Sequence, residues 1–195
     1  MIQHPVYAGI GSRSTPPDVL QAMRSIGHTL AEMGWILRSG NAPGADLAFQ
    51  EGAWQHLITI PEQEVPRVEV YLPWREFGAG DRVQPSTRWY NSPTPDAIGL
   101  AFEVHPSGRR LSRGATALHA RNGHQILGYD LASPVDAVIC WTPDGAETLD
   151  AINRGTGGTG QGLRVARLKA PDAQIFNLAS PGRLPALQSF IMETA

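Results

Sequence analysis

Cysteine occurs once in 195 residues, as Cys140, which excludes an intrachain disulfide and any multi-cysteine metal site. Cys140 lies in the apolar run DAVICW, which makes it a buried strand thiol rather than a nucleophile. Positive charge is not in surplus either. The 16 Lys and Arg stand against 18 Asp and Glu, a formal net charge of -2, so no bulk field draws nucleic acid or an anionic membrane to the chain. A local basic patch remains compatible with that sum. The N-terminus lacks the charged-then-apolar pattern of a signal peptide, and no apolar run is long enough to span a bilayer. A soluble, cytoplasmic protein with no membrane partner is therefore expected. No internal repeat is evident.

What is present reads as one domain, 1–195, with 42% hydrophobic and 17% charged residues. The 21 Gly and 16 Pro point to many loops. Short apolar runs at 5–10 (PVYAGI), 35–40 (WILRSG), 68–74 (VEVYLPW), 136–141 (DAVICW) and 174–179 (QIFNLA) read as strands. Helical spacing follows at 16–33, about 44–55, 112–128, from the late glycine loop to about 169, and 184–192. Alternation of buried strands with helices predicts an α/β fold. It should be a Rossmann-like open parallel sheet with helices on both faces. Residues 75–111, rich in Pro, Gly, Arg and Trp, read as a long loop, so that about 75–128 forms a loop-plus-helix insertion.

Three strands lead into loops of one chemical character: AGIGSRSTPP (8–17), RSGNAPGAD (38–46) and TGGTGQ (156–161). In an open parallel sheet such loops gather at the carboxyl ends of the strands, where the ligand crevice forms. Glycine allows close approach of the main chain, and the following helix offers unpaired N–H groups and the positive end of its dipole. The first loop lacks the third glycine of a dinucleotide fingerprint, and none contains the G-K-[ST] of a P-loop.

Taken together, GSR after the first strand, SGNAPGAD after the second and GGTGQ before a late helix resemble the SLOG superfamily of Rossmann-like proteins. Within it the likeness is to the DprA-like (Smf) and YpsA-like proteins and, more distantly, to the LOG phosphoribohydrolases. HARNGHQILG (119–128) and NLA (177–179) add to the resemblance, which spans nearly the whole chain. It implies a nucleotide or nucleotide-derived ligand at the strand-end crevice, no metal or other cofactor, and a homo-oligomer. The matched positions are Gly11, Ser12 and Arg13; Ser39, Gly40, Gly44 and Asp46; and Gly157, Gly158, Thr159 and Gly160. LOG hydrolases carry PGGxGTxxE, whose glutamate supports cleavage of the N-glycosidic bond. The corresponding run here is TGGTGQGLR, with no acid between Arg154 and Lys169, so that residue is not carried over.

Each candidate has a functional and a structural reading. Arg13 suits a phosphate or a surface position at the sheet edge. Asp46 suits a ribose hydroxyl or simply the first turn of its helix. Ser39, Asn41, Thr159 and Gln161 suit phosphate or ribose, or turns and caps. On the insertion helix, Asn122 and Gln125 share a face with Arg121 beside them. His119 and His124 lack a third metal ligand and read as solvated. The RRLSR run (109–113) reads as a phosphate clamp, a DNA contact or a solvated loop. Three functions follow. The first is nucleotide binding. The second is an N-glycosidase or deoxyribosyltransferase, which needs a carboxylate from Asp46, Glu51, Asp144 or Glu147. The third is a DprA-like recombination mediator with single-stranded DNA as partner.

Overall fold

The computed structural model describes residues 4–62, 65–78 and 82–194. Its centre is a six-stranded sheet, all parallel, comprising β1 (Val6–Gly9), β2 (Ile36–Ser39), β3 (Val68–Tyr71), β4 (Thr87–Tyr90), β5 (Ala137–Cys140) and β6 (Gln174–Asn177). The strand order is β4-β3-β2-β1-β5-β6. The chain therefore runs outward from β1 to one edge, then returns to build the other half from β5. The junction between β1 and β5 is the topological switch point, where loops leaving neighbouring strands diverge to opposite faces.

The two faces can be read from side-chain alternation along β5. Ala137 and Ile139 join a core with Met23 and Leu30 of α1 (Pro17–Glu32), Phe49 of α2 (Ala45–Leu57) and Leu187 of α6 (Arg183–Thr194). Val138 and Cys140 join the opposite core, with Ile126 of α4 (Arg113–Leu127) and Leu163 of α5 (Thr159–Lys169). Both faces are covered, which is why the strand is apolar at every position rather than at every second one. Burial raises the Cys140 thiol pKa well above its ordinary value, in keeping with a strand thiol.

The stretch 75–111 departs from the expected loop. It holds the sixth strand, β4, and a helix, α3 (Pro95–Val104), followed by a short 3-10 turn at Gly108–Arg110. Residues 79–81 of that stretch lie outside the described residues. Thr94 caps α3 by accepting from the Ala97 N–H at 3.2 Å, and Pro95 occupies the first turn, where no backbone donor is required. Ser112 caps α4 in the same way, accepting from Ala115 at 3.3 Å. Small residues seat α3 on α4: Ala97, Ala101 and Ala120 are all buried at their contact.

His124 is a second departure. It is not solvated but 1% exposed, and it lies in a stack of rings. Tyr71 stacks on Tyr90 at 4.6 Å and on His124 at 5.5 Å, while Tyr129 stacks on Tyr90 at 4.6 Å and on His124 at 5.4 Å. His124 Nδ1 donates to the Gly128 carbonyl at 3.0 Å, so Nε2 is the ring acceptor and receives the Thr94 N–H at 3.1 Å. Burial lowers the His124 pKa, consistent with this neutral tautomer. One imidazole thus ties α4 to the start of α3 and to β3. Among the described residues no helix is long and apolar enough to cross a membrane.

Candidate functional site

A crevice of about 1490 Å³ opens at the carboxyl ends of the strands. Its walls come from the loop after β1 (Gly11–Ser14), the loop after β2 (Ala42, Pro43, Asp46), the turn before α5 (Asn153–Thr159), and α4 with the segment that follows α3. Three separated glycine loops therefore meet at the switch point.

The glycines divide by what surrounds them. A methyl group on Gly11 would stand 2.6 Å from the Ala45 Cβ, so the absence of a side chain lets the first loop lie against α2. Gly44 adopts φ 93°, ψ -125°, which only glycine occupies readily, and it turns the chain into α2. Gly160 is packed against Ile152 and Thr156. Gly157 and Gly158 differ from these. Nothing would touch a side chain at either position, both line the crevice, and no side chain caps the N-terminus of α5 there. The positive end of that helix has no side-chain cap, while the Gly160 and Gln161 N–H groups donate to the Gly157 and Gly158 carbonyls at 3.2 and 3.3 Å.

Asp46 and Arg121 form the floor. Arg121 Nη1 donates to Asp46 Oδ2 at 3.1 Å, with the two residues 3% and 7% exposed. Asp46 Oδ2 also accepts from the Ala42 N–H at 3.3 Å. Burial pushes the Asp46 pKa up, and the Arg121 charge and backbone donors pull it back. Gly40 makes the pair feasible, because a Cβ there would sit 1.4 Å from Arg121 Nη1. The Arg121 guanidinium lies over the Phe77 ring at 5.8 Å, and its Nε is buried without a partner. Gln125, on the same helix, is 2% exposed, lines the crevice, and has an unpartnered Nε2.

Of the other expected residues, Ser12, Arg13 and Thr159 line the crevice. Asn122 lines it too, but its Nδ2 donates to the Gly158 carbonyl at 3.1 Å, which fixes the α5 turn to α4. Ser39 is buried behind the floor and donates to the Gly9 carbonyl at 3.1 Å. Asn41, at φ 59°, holds the Phe77 carbonyl at 3.3 Å. Gln161 is buried away from the lining, with neither amide atom partnered.

The acids separate clearly. Glu51 pairs with Arg24 at 2.7 Å on the α1–α2 surface. Glu147 accepts from the Asn177 N–H at 2.8 Å and pairs with Arg183. Asp144 accepts from the Thr156 hydroxyl and so braces the loop beneath the glycines. Among the described residues, Asp46 is the one carboxylate in the lining, against five arginines: Arg13, Arg110, Arg121, Arg154 and Arg164. The RRLSR run is divided. Arg110 lines the crevice, Arg109 lies over Phe102 at 5.1 Å, and Arg113 edges a separate apolar pocket.

His105, Arg154 and Arg164 were not among the expected ligand residues. Arg154 stands three residues before Gly157 of the exposed glycine turn. Arg164 lies four residues beyond Gly160 on the same helix, a spacing that puts both on one face. His119 corrects the expectation of a solvated ring. It is half-buried, its ring lies 4.4 Å from that of His105, and its Nδ1 has no partner. Desolvation, then the nearby His105, Arg121 and Arg164, push its pKa down to about 4.

No protein-family model and no curated protein matches the chain. Among solved structures, DNA processing protein A from Helicobacter pylori, reported with a single-stranded DNA binding mode, is similar at 14% identity. The match covers 97% of this chain and 81% of that one, with a TM-score of 0.42. A likeness that shallow carries nothing to this chain about ligand or partner.

Proposed function

We propose that the crevice binds a nucleotide or a nucleotide-derived small molecule. One observation carries this reading: in a chain of net charge -2, the switch-point crevice gathers five arginines around one carboxylate that is already paired. A concave site of one sign focuses field lines and concentrates an anionic ligand. The phosphate sits at the exposed turn of Gly157 and Gly158, at the positive end of α5, with Arg13 and Arg154 as counter-charges. Gln125 Nε2 and Arg121 Nε, two of the unpartnered donors on α4, are left for ribose or base.

A thermal-shift panel of nucleoside mono-, di- and triphosphates tests this. A ligand at 100 times its Kd adds about 2.7 kcal/mol, which raises Tm by roughly 5–10 °C for a domain of this size. Arg13→Gln should reduce the shift without lowering the Tm of the free protein. If no nucleotide moves Tm, the proposal fails.

A second reading rests on Asp46, the carboxylate in the lining: cleavage or transfer at the N-glycosidic bond. On this reading nucleoside monophosphates incubated with the protein release free base, and Asp46→Asn stops the release at temperatures where it stays folded. Absence of free base with every nucleotide rules it out.

A further inference from the structure

The phosphate placed at the glycine turn uses one end of the crevice. The lining also carries a cluster of which that reading counts only the charge of Arg164. His105 follows α3, His119 sits on α4, and Arg164 projects from α5, all three in the lining. The imidazoles are 4.4 Å apart, centroid to centroid. The charges bearing on them are cationic from each element: Arg164 on His105, and His105, Arg121 and Arg164 on His119. Glu103, two residues before His105 in sequence, pairs with Lys169 at 2.7 Å.

Burial and the neighbouring cations hold both imidazoles neutral, so Arg164 carries the charge of the cluster and the rings supply neutral donors. His105 Nδ1 accepts the Ser107 N–H at 3.1 Å, which leaves its Nε2 as the ring donor. His119 Nδ1 is buried without a partner. Arg164 has no ion pair among the described residues. Burial lowers the pKa of Arg164, the mark of a cation partly removed from water. Donors, positive charge and absence of a carboxylate together describe an anion subsite.

Position on α5 sets the spacing. Arg164 is six residues beyond Gly158, roughly 9 Å along the helix axis at 1.5 Å per residue. The Arg164 charge bears on the rings of His105 and His119, which come from other elements than the glycine turn, so a second phosphate ester on another ribose oxygen or on a neighbouring nucleoside suits the cluster. The crevice volume of about 1490 Å³ exceeds the roughly 300–1,000 Å³ of an ordinary small-molecule pocket, which suits the larger ligand.

We infer that His105, His119 and Arg164 form a second phosphate subsite, and that the ligand is a nucleotide bearing two separated phosphate esters. This rests on the nucleotide-binding reading above and adds the ligand class to it.

Calorimetric titration should compare each deoxynucleoside 5′-monophosphate with its 3′,5′-bisphosphate. The second phosphate is expected to tighten binding at least tenfold. His119→Gln and, independently, His105→Gln should each remove most of that gain while leaving the monophosphate affinity within about twofold. Arg13→Gln should weaken both ligands. A merely structural role for the cluster would weaken both ligands together in the His119 and His105 variants, and that result overturns the inference. So does equal affinity of wild-type protein for mono- and bisphosphate, which leaves the nucleotide site itself standing. If neither ligand binds, both readings fall.

Discussion

Asp46 and Arg121 are 75 residues apart in sequence and share one buried contact. Two opposite charges this deep lose hydration that their attraction only partly restores, so the pair adds little net stability. Removing either partner is another matter, since it strands a charge. Asp46→Ala or Arg121→Ala is expected to cost about 3–5 kcal/mol in urea unfolding. The double substitution should cost clearly less than the two summed. Gly40→Ala should cost less than either, because the group its Cβ meets is the far end of the Arg121 side chain, which shifts while both charges are retained. Asp46 and Gly40 are visible in the sequence as members of a glycine loop. Their actual use is not visible, because the partner comes from α4, whose path no local spacing records. Glu51 and Glu147 misdirect for the opposite reason. Each is close in sequence to a loop of the crevice, and each side chain turns to an arginine elsewhere.

Helices α1 and α2 lie unusually close. A Cβ on Gly27 would be 2.5 Å from the Phe49 carbonyl oxygen, and one on Gly52 would be 2.0 Å from that of Arg24. Neither obstacle is a side chain that can swing aside. Gly52→Ala should therefore destabilise by about 1–3 kcal/mol or more, despite its better helix propensity. Gly99, exposed on α3 with nothing near it, provides the opposite sign: Gly99→Ala should stabilise by about 0.5–1 kcal/mol. Paired denaturation curves check both. The longest helices, α1 and α4, are legible from their sequence pattern. β4 and α3 are not, although Thr94-Pro95-Asp96 is a helix start by capping chemistry. Their surroundings of Pro, Gly and Arg read as loop. TRWY is too short for alternation to declare a strand without the neighbour it pairs with.

Across the whole molecule, the parallel sheet and its two covered faces follow from the sequence pattern, and the switch point fixes where a ligand crevice opens. The electrostatics of that crevice follow only from folding, because arginines at 13, 110, 121, 154 and 164 converge from four regions of the chain. Folding also sets the response to acid. His4, His105, His119 and His124 are all pushed below the ordinary histidine value, chiefly by burial. The unfolded chain therefore takes up protons first as pH falls. Stability from these groups is full above about pH 6.5 and declines below it, for His119 down to its folded value of about 4. Urea midpoints should fall between pH 7.5 and pH 5, and His119→Gln should flatten part of that slope.

The stack of Tyr90, Tyr71, His124 and Tyr129 has a consequence of an optical kind. Three tyrosines held face to face, or nearly so, in fixed register couple their electronic transitions and give a near-ultraviolet circular dichroism that free tyrosines lack. The rings come from β3, β4 and the turn after α4, so that band reports whether the edge strand and α4 remain docked. The protein thus carries its own dye at the seam between the edge strand and α4.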